Sequence, residues 1–154
     1  MSNRQAFLDM IAFSEIGQGL LKVSDRGYNV IVGSTPAKPD LFTGYADHPR
    51  KLVDLGKGLK STAAGRYQLL ARYFDAYKRT LSLPDFSPAS QDAIALQQIR
   101  ECRALDDIDA GRFDQAVPKC ARIWASLPGA GYGQHENSLS DLRAAYVMAG
   151  GALA

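Results

Sequence analysis

An α+β domain, mainly helical with one small region of strands placed early, is what the 154 residues predict. Apolar residues recur at helical spacing in the first fifteen positions and again through most of the second half. Between them, β-branched and aromatic residues crowd into a short run, Tyr28-Asn-Val-Ile-Val-Gly33, that reads as a strand. No tandem repeat, linker or low-complexity tract divides the chain, so residues 1–154 are expected to form a single domain. Its sheet is too small to be the core by itself.

The first helix is expected over Arg4 to Glu15, with Leu8 and Ile11 three apart on one face. Glu15 falls four residues further on, where that spacing calls for another apolar side chain. A carboxyl partly withdrawn from water resists ionising, and a carboxylic acid still protonated near neutral pH is what glycosidic bond cleavage requires. The plainer alternative is a frayed helix end with Glu15 turned to solvent.

Residues 16–27, glycine-bearing and polar, read as loop. Leu41 to Tyr45 is expected to pair back on Tyr28–Gly33, after the proline-bearing turn Ser34 to Asp40. Leu59 to Thr62 offers a third short strand. From Gly65 to about Leu81 the set Tyr67, Leu70, Phe74 and Tyr77 predicts a central helix. Ser87 as N-cap and Pro88 at the first helical position start another, running to Glu101. Leu105 and Ile108 suit a short helix closed by Gly111. Ala116, Cys120, Ile123 and Trp124 mark the next, with Pro118 required to fall in its first turn or to kink it. Ser138, Leu139, Leu142 and Tyr146 predict a last helix ending at Gly150.

Composition narrows the function. Apolar residues make up 46% of the chain and charged residues 22%, with a formal charge of +2. That is ordinary for a soluble globular protein and too weakly basic to argue for nucleic acid. Cys102 and Cys120 are expected to be free thiols, and the N-terminus Met-Ser-Asn-Arg-Gln has neither a signal peptide nor a membrane anchor pattern. His48 and His135 are the only histidines and belong to no zinc-binding spacing, so neither a metal nor a cofactor is expected.

Besides Glu15, two stretches have a composition suited to a ligand. In Thr62-Ala-Ala-Gly-Arg-Tyr-Gln68 the small residues Ala63, Ala64 and Gly65 keep the backbone uncluttered and Gln68 offers an amide. Close helix packing would explain the same small residues. In Gly129 to Gln134, Tyr132 supplies an aromatic face with a hydroxyl and Gln134 another amide, groups that suit sugar rings. A surface loop with one anchoring tyrosine is the alternative there.

Taken in order, Gln5-Ala-Phe-Leu-Asp-Met, Ser14-Glu15, Val30-Ile-Val-Gly, Asp47-His-Pro-Arg-Lys-Leu-Val, Ala64-Gly-Arg-Tyr-Gln-Leu-Leu, Asp85-Phe-Ser-Pro, Ser90-Gln-Asp and Ile123-Trp-Ala-Ser-Leu-Pro-Gly-Ala-Gly-Tyr-Gly-Gln134 resemble the phage lambda endolysin family of lytic transglycosylases. The likeness runs from about Arg4 to Gly151. It implies a lysozyme-like fold in which a small antiparallel sheet borders a substrate cleft. It also implies a catalytic acid at Glu15 and glycan contacts from Ser14, Gly65, Tyr67, Gln68, Tyr132 and Gln134. The chain departs from the family pattern in a longer Ser34 to Asp40 loop and a shorter connection between Glu15 and Gly27.

The activity so implied is cleavage of the bond between N-acetylmuramic acid and N-acetylglucosamine in peptidoglycan, with formation of a 1,6-anhydro sugar. A hydrolytic muramidase using Asp25 as a second carboxylate is the nearest rival, and a non-catalytic wall-binding module the next. The expected partner is the glycan strand, acted on by a monomer without nucleic acid or stable membrane association. A separate membrane-permeabilising protein of the holin type is implied, releasing the protein from the host cytoplasm to the periplasmic wall.

Overall fold

The computed structural model describes residues 2–131 and 135–154. They gather into two compact units, Met1–Glu15 with Ala95–Ala154, and Ile16–Ile94. Among the described residues there are seven α-helices and a two-stranded antiparallel sheet.

The first helix, α1 (Asn3–Ile16), is started by Ser2, whose hydroxyl accepts the N–H of Gln5 at 3.2 Å. It buries Ala6, Phe7, Leu8, Met10, Ile11 and Ala12, so it is covered on most sides rather than along one stripe. Within the same unit lie α5 (Leu105–Asp109), α6 (Phe113–Cys120) and α7 (Leu139–Met148). Phe7, Phe113 and Tyr146 form its aromatic centre, with ring centroids 4.8–6.5 Å apart. Ser138 caps α7 by accepting the N–H of Asp141, as expected. Pro118 lies past the first turn of α6, where it denies the Asp114 carbonyl its helical partner, and the helix ends two residues later at Cys120. Trp124, expected on that helix, follows it in a turn and is buried.

The second unit corrects several expectations. Residues 18–23 are not loop but helix α2 (Gln18–Val23): Gly17, at φ 85°, breaks α1, and Ser24 closes the new helix by donating to the Leu20 carbonyl at 2.6 Å. Tyr28–Gly33 and Leu41–Tyr45 are not strands; they meet at one bridge, Val30 with Leu41. The reason is local, because Ser34 turns the chain back by bonding the Ile31 carbonyl and the Asp40 N–H. The sheet is instead β1 (Val53–Asp54) paired with β2 (Lys60–Ser61), Val53 opposite Ser61. Its turn is held by Asp54, which accepts the Gly56 N–H at 2.9 Å.

The central helix α3 (Ala71–Thr80) begins six residues later than Gly65. Residues 64–69 form a tight turn, with Ala64 and Leu69 exchanging both backbone hydrogen bonds. Helix α4 (Pro88–Glu101) starts where Ser87 and Pro88 place it, with Asp85 accepting from both Ser87 and Ser90. Leu69, Phe74, Phe86 and Ile94 make the core of this unit.

Candidate active site

Glu15 is the penultimate residue of α1, one turn beyond the buried Ile11 and Ala12. It is partly buried, not turned out to solvent. Burial pushes its carboxyl up to about 7, against the opposing pull of the Ser126 hydroxyl and, more weakly, the Ser126 backbone. The Ser126 hydroxyl donates to Oε2 in a short hydrogen bond. Ser14, the neighbour expected to touch glycan, is only 8% exposed, and its hydroxyl lies 2.8 Å from that of Ser126. Asn137 completes the group by donating from Nδ2 to Ser14 Oγ at 3.0 Å and to the Ser14 carbonyl at 3.1 Å. Neither Ser126 nor Asn137 was picked out by residue type. Ser126 lies inside the string Ile123–Gln134 that carries the resemblance, whereas nothing in the sequence singles out Asn137.

In the other unit, Gly65, Tyr67 and Gln68 occupy the turn before α3. Gly65 has φ 87°, and Gln68 takes the same left-handed region at φ 54°, unusual for a residue with a side chain. The turn is fixed from behind by Gln91, whose Oε1 accepts the Arg66 N–H at 2.9 Å while Nε2 donates to the carbonyls of Tyr28 and Phe86. A Cβ at Gly65 would press on the Gln91 side chain and the Phe86 ring, so glycine permits their close approach. Tyr67 is 5% exposed, and its hydroxyl donates to Asp92 at 2.6 Å. The Gln68 amide gives both hydrogens to the carbonyls of Gly65 and Val30, which leaves its oxygen pointing away from these partners.

Tyr132 and Gln134 lie outside the described residues. On either side of them, Glu136 clasps the glycine-rich loop by accepting the N–H groups of Gly129 and Gly131 at 3.0 and 3.1 Å. Asp25, the carboxylate a hydrolytic muramidase would need, accepts the Tyr45 hydroxyl at 2.6 Å and lies 3.8 Å from Arg26. Among the described residues no group of three His, Cys, Asp or Glu side chains is arranged to hold a metal ion, and no helix is long and apolar enough to cross a membrane.

Residues 5–153 match the family model described as Endolysin. The chain belongs to the endolysin family. This endolysin is 57% identical to the endolysin of Escherichia phage lambda over 151 residues, covering 97% of this chain and 92% of the relative. It is 51% identical to that of Escherichia phage P2, covering 97% and 93%. A solved structure of bacteriophage lambda lysozyme complexed with a chitohexasaccharide superimposes with a TM-score of 0.91 at 56% identity, covering 99% of this endolysin and 96% of that chain. A second structure of lambda lysozyme gives 0.87. The fold of this endolysin is thus lysozyme-like, mostly helical with one small antiparallel sheet.

Proposed function

We propose that this endolysin is a peptidoglycan lytic transglycosylase in which Glu15 serves as both acid and base. Membership of the family makes it a wall-degrading phage enzyme. The observation that carries the finer reading is the partly buried carboxyl at the close of α1, raised to about 7 and supported by Ser126. Neutral Glu15 protonates the oxygen joining N-acetylmuramic acid to N-acetylglucosamine, and the bond to muramyl C1 breaks with oxocarbenium character. The carboxylate so formed takes the proton of the muramyl C6 hydroxyl as that oxygen attacks C1 in the same residue. One C–O bond is lost, one is gained, and no water enters. A nucleophile already attached to the substrate needs no second carboxylate to activate it. The engagement of Asp25 with Tyr45 and Arg26 favours this reading over hydrolysis.

In the same proposal the whole chain acts as one catalytic domain and a monomer. Gln68 receives glycan donors, with Tyr132 and Gln134 as further contacts. Gly65 and Tyr67 shape the turn beneath Gln68, and Ser14 braces Glu15. The enzyme reaches the wall from the host cytoplasm once a separate permeabilising protein has opened the membrane. Borohydride treatment of digested murein tests the reaction: anhydro ends resist reduction, whereas reducible muramic acid in equal amount to the cuts means hydrolysis. Glu15→Gln is expected to lose clearing of permeabilised Gram-negative cells while keeping its circular dichroism. Equal clearing by both proteins removes Glu15 from the mechanism.

A further inference from the structure

The hydroxyls around Glu15 have a direction that follows from counting hydrogens. A serine hydroxyl has one hydrogen to give. Ser126 gives its own to Glu15 Oε2, so in its 2.8 Å contact with Ser14 it must accept. Ser14 is then the donor in that contact, and its oxygen in turn accepts from the Asn137 amide at 3.0 Å. Asn137 also ties the Ser126 end, since its backbone N–H donates to the Ser126 carbonyl at 2.8 Å. Three donors therefore point one way, from an amide through two hydroxyls to one oxygen of an ionised carboxylate. Bonds aligned head to tail polarise one another, and an array of this kind strengthens toward a negative terminus.

We propose that Asn137, Ser14 and Ser126 form a one-way hydrogen-bond relay that holds Glu15 Oε2 as the accepting oxygen and leaves Oε1 to carry the proton passed to the glycosidic bond. This rests on the reading of Glu15 as the acid. Asn137 and Ser126 are positioning residues, acting on substrate only through Glu15. With Oε2 always in receipt of a hydroxyl hydrogen, the transferable proton has one position rather than two, and the carboxyl cannot rotate without breaking the array. Burial and Ser126 account for the shift of Glu15, and no charged side chain contributes to it. Of the titratable and charged groups on α1 and on the segments joined to it here, Arg4 pairs with Asp109, Asp9 accepts from Gln5, and Arg122 donates to the Glu101 carbonyl. Glu136 is bound by the amides of Gly129 and Gly131, His135 is exposed, and Asp141 lies at the start of α7.

The test is the pH profile of wall digestion by the full chain. Activity requires protonated Glu15 and falls as pH rises through its pKa. Removing a donor from the ionised form raises that pKa, so Ser126→Ala is expected to move the alkaline limb upward by about one pH unit, the effect of one hydrogen bond to a charged group. Its kcat is expected to fall about tenfold, with KM changed less than twofold. Ser126→Thr, which keeps the hydroxyl, should restore the limb. Asn137→Ala should move it in the same direction by a smaller amount, and adding it to Ser126→Ala should produce no further shift, because its influence passes through Ser126. An unmoved limb in Asn137→Ala, or shifts that simply add in the double variant, overturns the relay even if Glu15→Gln is dead. An active Glu15→Gln instead overturns the role of Glu15. Should Ser126→Ala fail to fold, the Asn137→Ala profile and a carbon-13 titration of the Glu15 carboxyl in that variant decide.

Discussion

The side-chain oxygen of Gln91 lies too close to Gly65 to leave room for a Cβ there. That contact, with φ 87° at Gly65, makes glycine obligatory for both steric and backbone reasons. Gln91 cannot withdraw, because the same oxygen accepts from Arg66 and its nitrogen holds Tyr28 and Phe86. Gly65→Ala is expected to cost about 2–4 kcal/mol, since it strains the backbone and disrupts a buried amide network together. Urea unfolding measures this, and a loss under about 0.5 kcal/mol would mean that the turn relaxes freely.

Glu15 should make stability depend on pH in a definite sense. Its folded pKa of about 7 lies above the ordinary value of 4.5, so the folded chain holds the proton more tightly than the unfolded one. The stability that this provides is complete below about 4.5 and is lost as pH rises to about 7. Glu15→Gln is therefore expected to match the parent protein near pH 4 and to exceed it above pH 8, by up to about 3 kcal/mol. Thermal unfolding of both proteins across that range checks the crossing. A variant less stable than the parent at pH 8 would contradict it.

His48 should show the opposite dependence. Its Nδ1 accepts the Arg50 N–H at 2.9 Å, so the ring proton sits on Nε2 and is donated to the Leu69 carbonyl at 2.8 Å. Burial between the rings of Phe74 and Phe86 lowers its pKa below 6.5. The folded chain then binds this proton less readily than the unfolded one, and the associated stability, present above pH 6.5, is lost as pH falls through the lowered value. Long-range nitrogen NMR is expected to find His48 mainly neutral, with its proton on Nε2, at pH 6.5. A doubly protonated ring at that pH would refute the assignment.

Cys102 and Cys120 are unbridged and buried. The Cys120 thiol and the Arg122 guanidinium hold the Cys102 thiol below its ordinary range, while Cys102 and burial push Cys120 up. Ultraviolet absorbance near 240 nm should register one thiolate at neutral pH, and Cys102→Ser should remove it. A signal that survives in Cys102→Ser and vanishes in Cys120→Ser would reverse the assignment.

Helix starts and the partial burial of Glu15 at the end of α1 were legible because they rest on local chemistry. Ser87 with Pro88, and Ser138 ahead of Leu139, are caps whose residue types serve one purpose. Glu15 interrupts an apolar series at a spacing that only a helix explains. The turn at 64–69 was misread as helix because Tyr67, Leu70 and Phe74 have helical spacing, while its left-handed residues answer to Val30 and Gln91, distant in sequence. Tyr28–Gly33 likewise has strand composition but pairs only at isolated bridges, Val30 with Leu41 and Ile31 with Ala64, since Ser34 folds the chain away. Asn137 was invisible for a simpler reason: an asparagine in a polar stretch looks like any other until its contact with Ser14 is known.

Gln68, left-handed at φ 54°, keeps its side-chain amide inside the turn. With both amide hydrogens given to Gly65 and Val30, the side chain is no longer the two-faced group that a glutamine ordinarily presents. It can only receive. Any ligand that met its oxygen would have to bring a hydroxyl or an N–H, and one offering lone pairs at that point would be repelled. A residue capable of reading either polarity is in this way made to distinguish them by the two carbonyls that hold its amide.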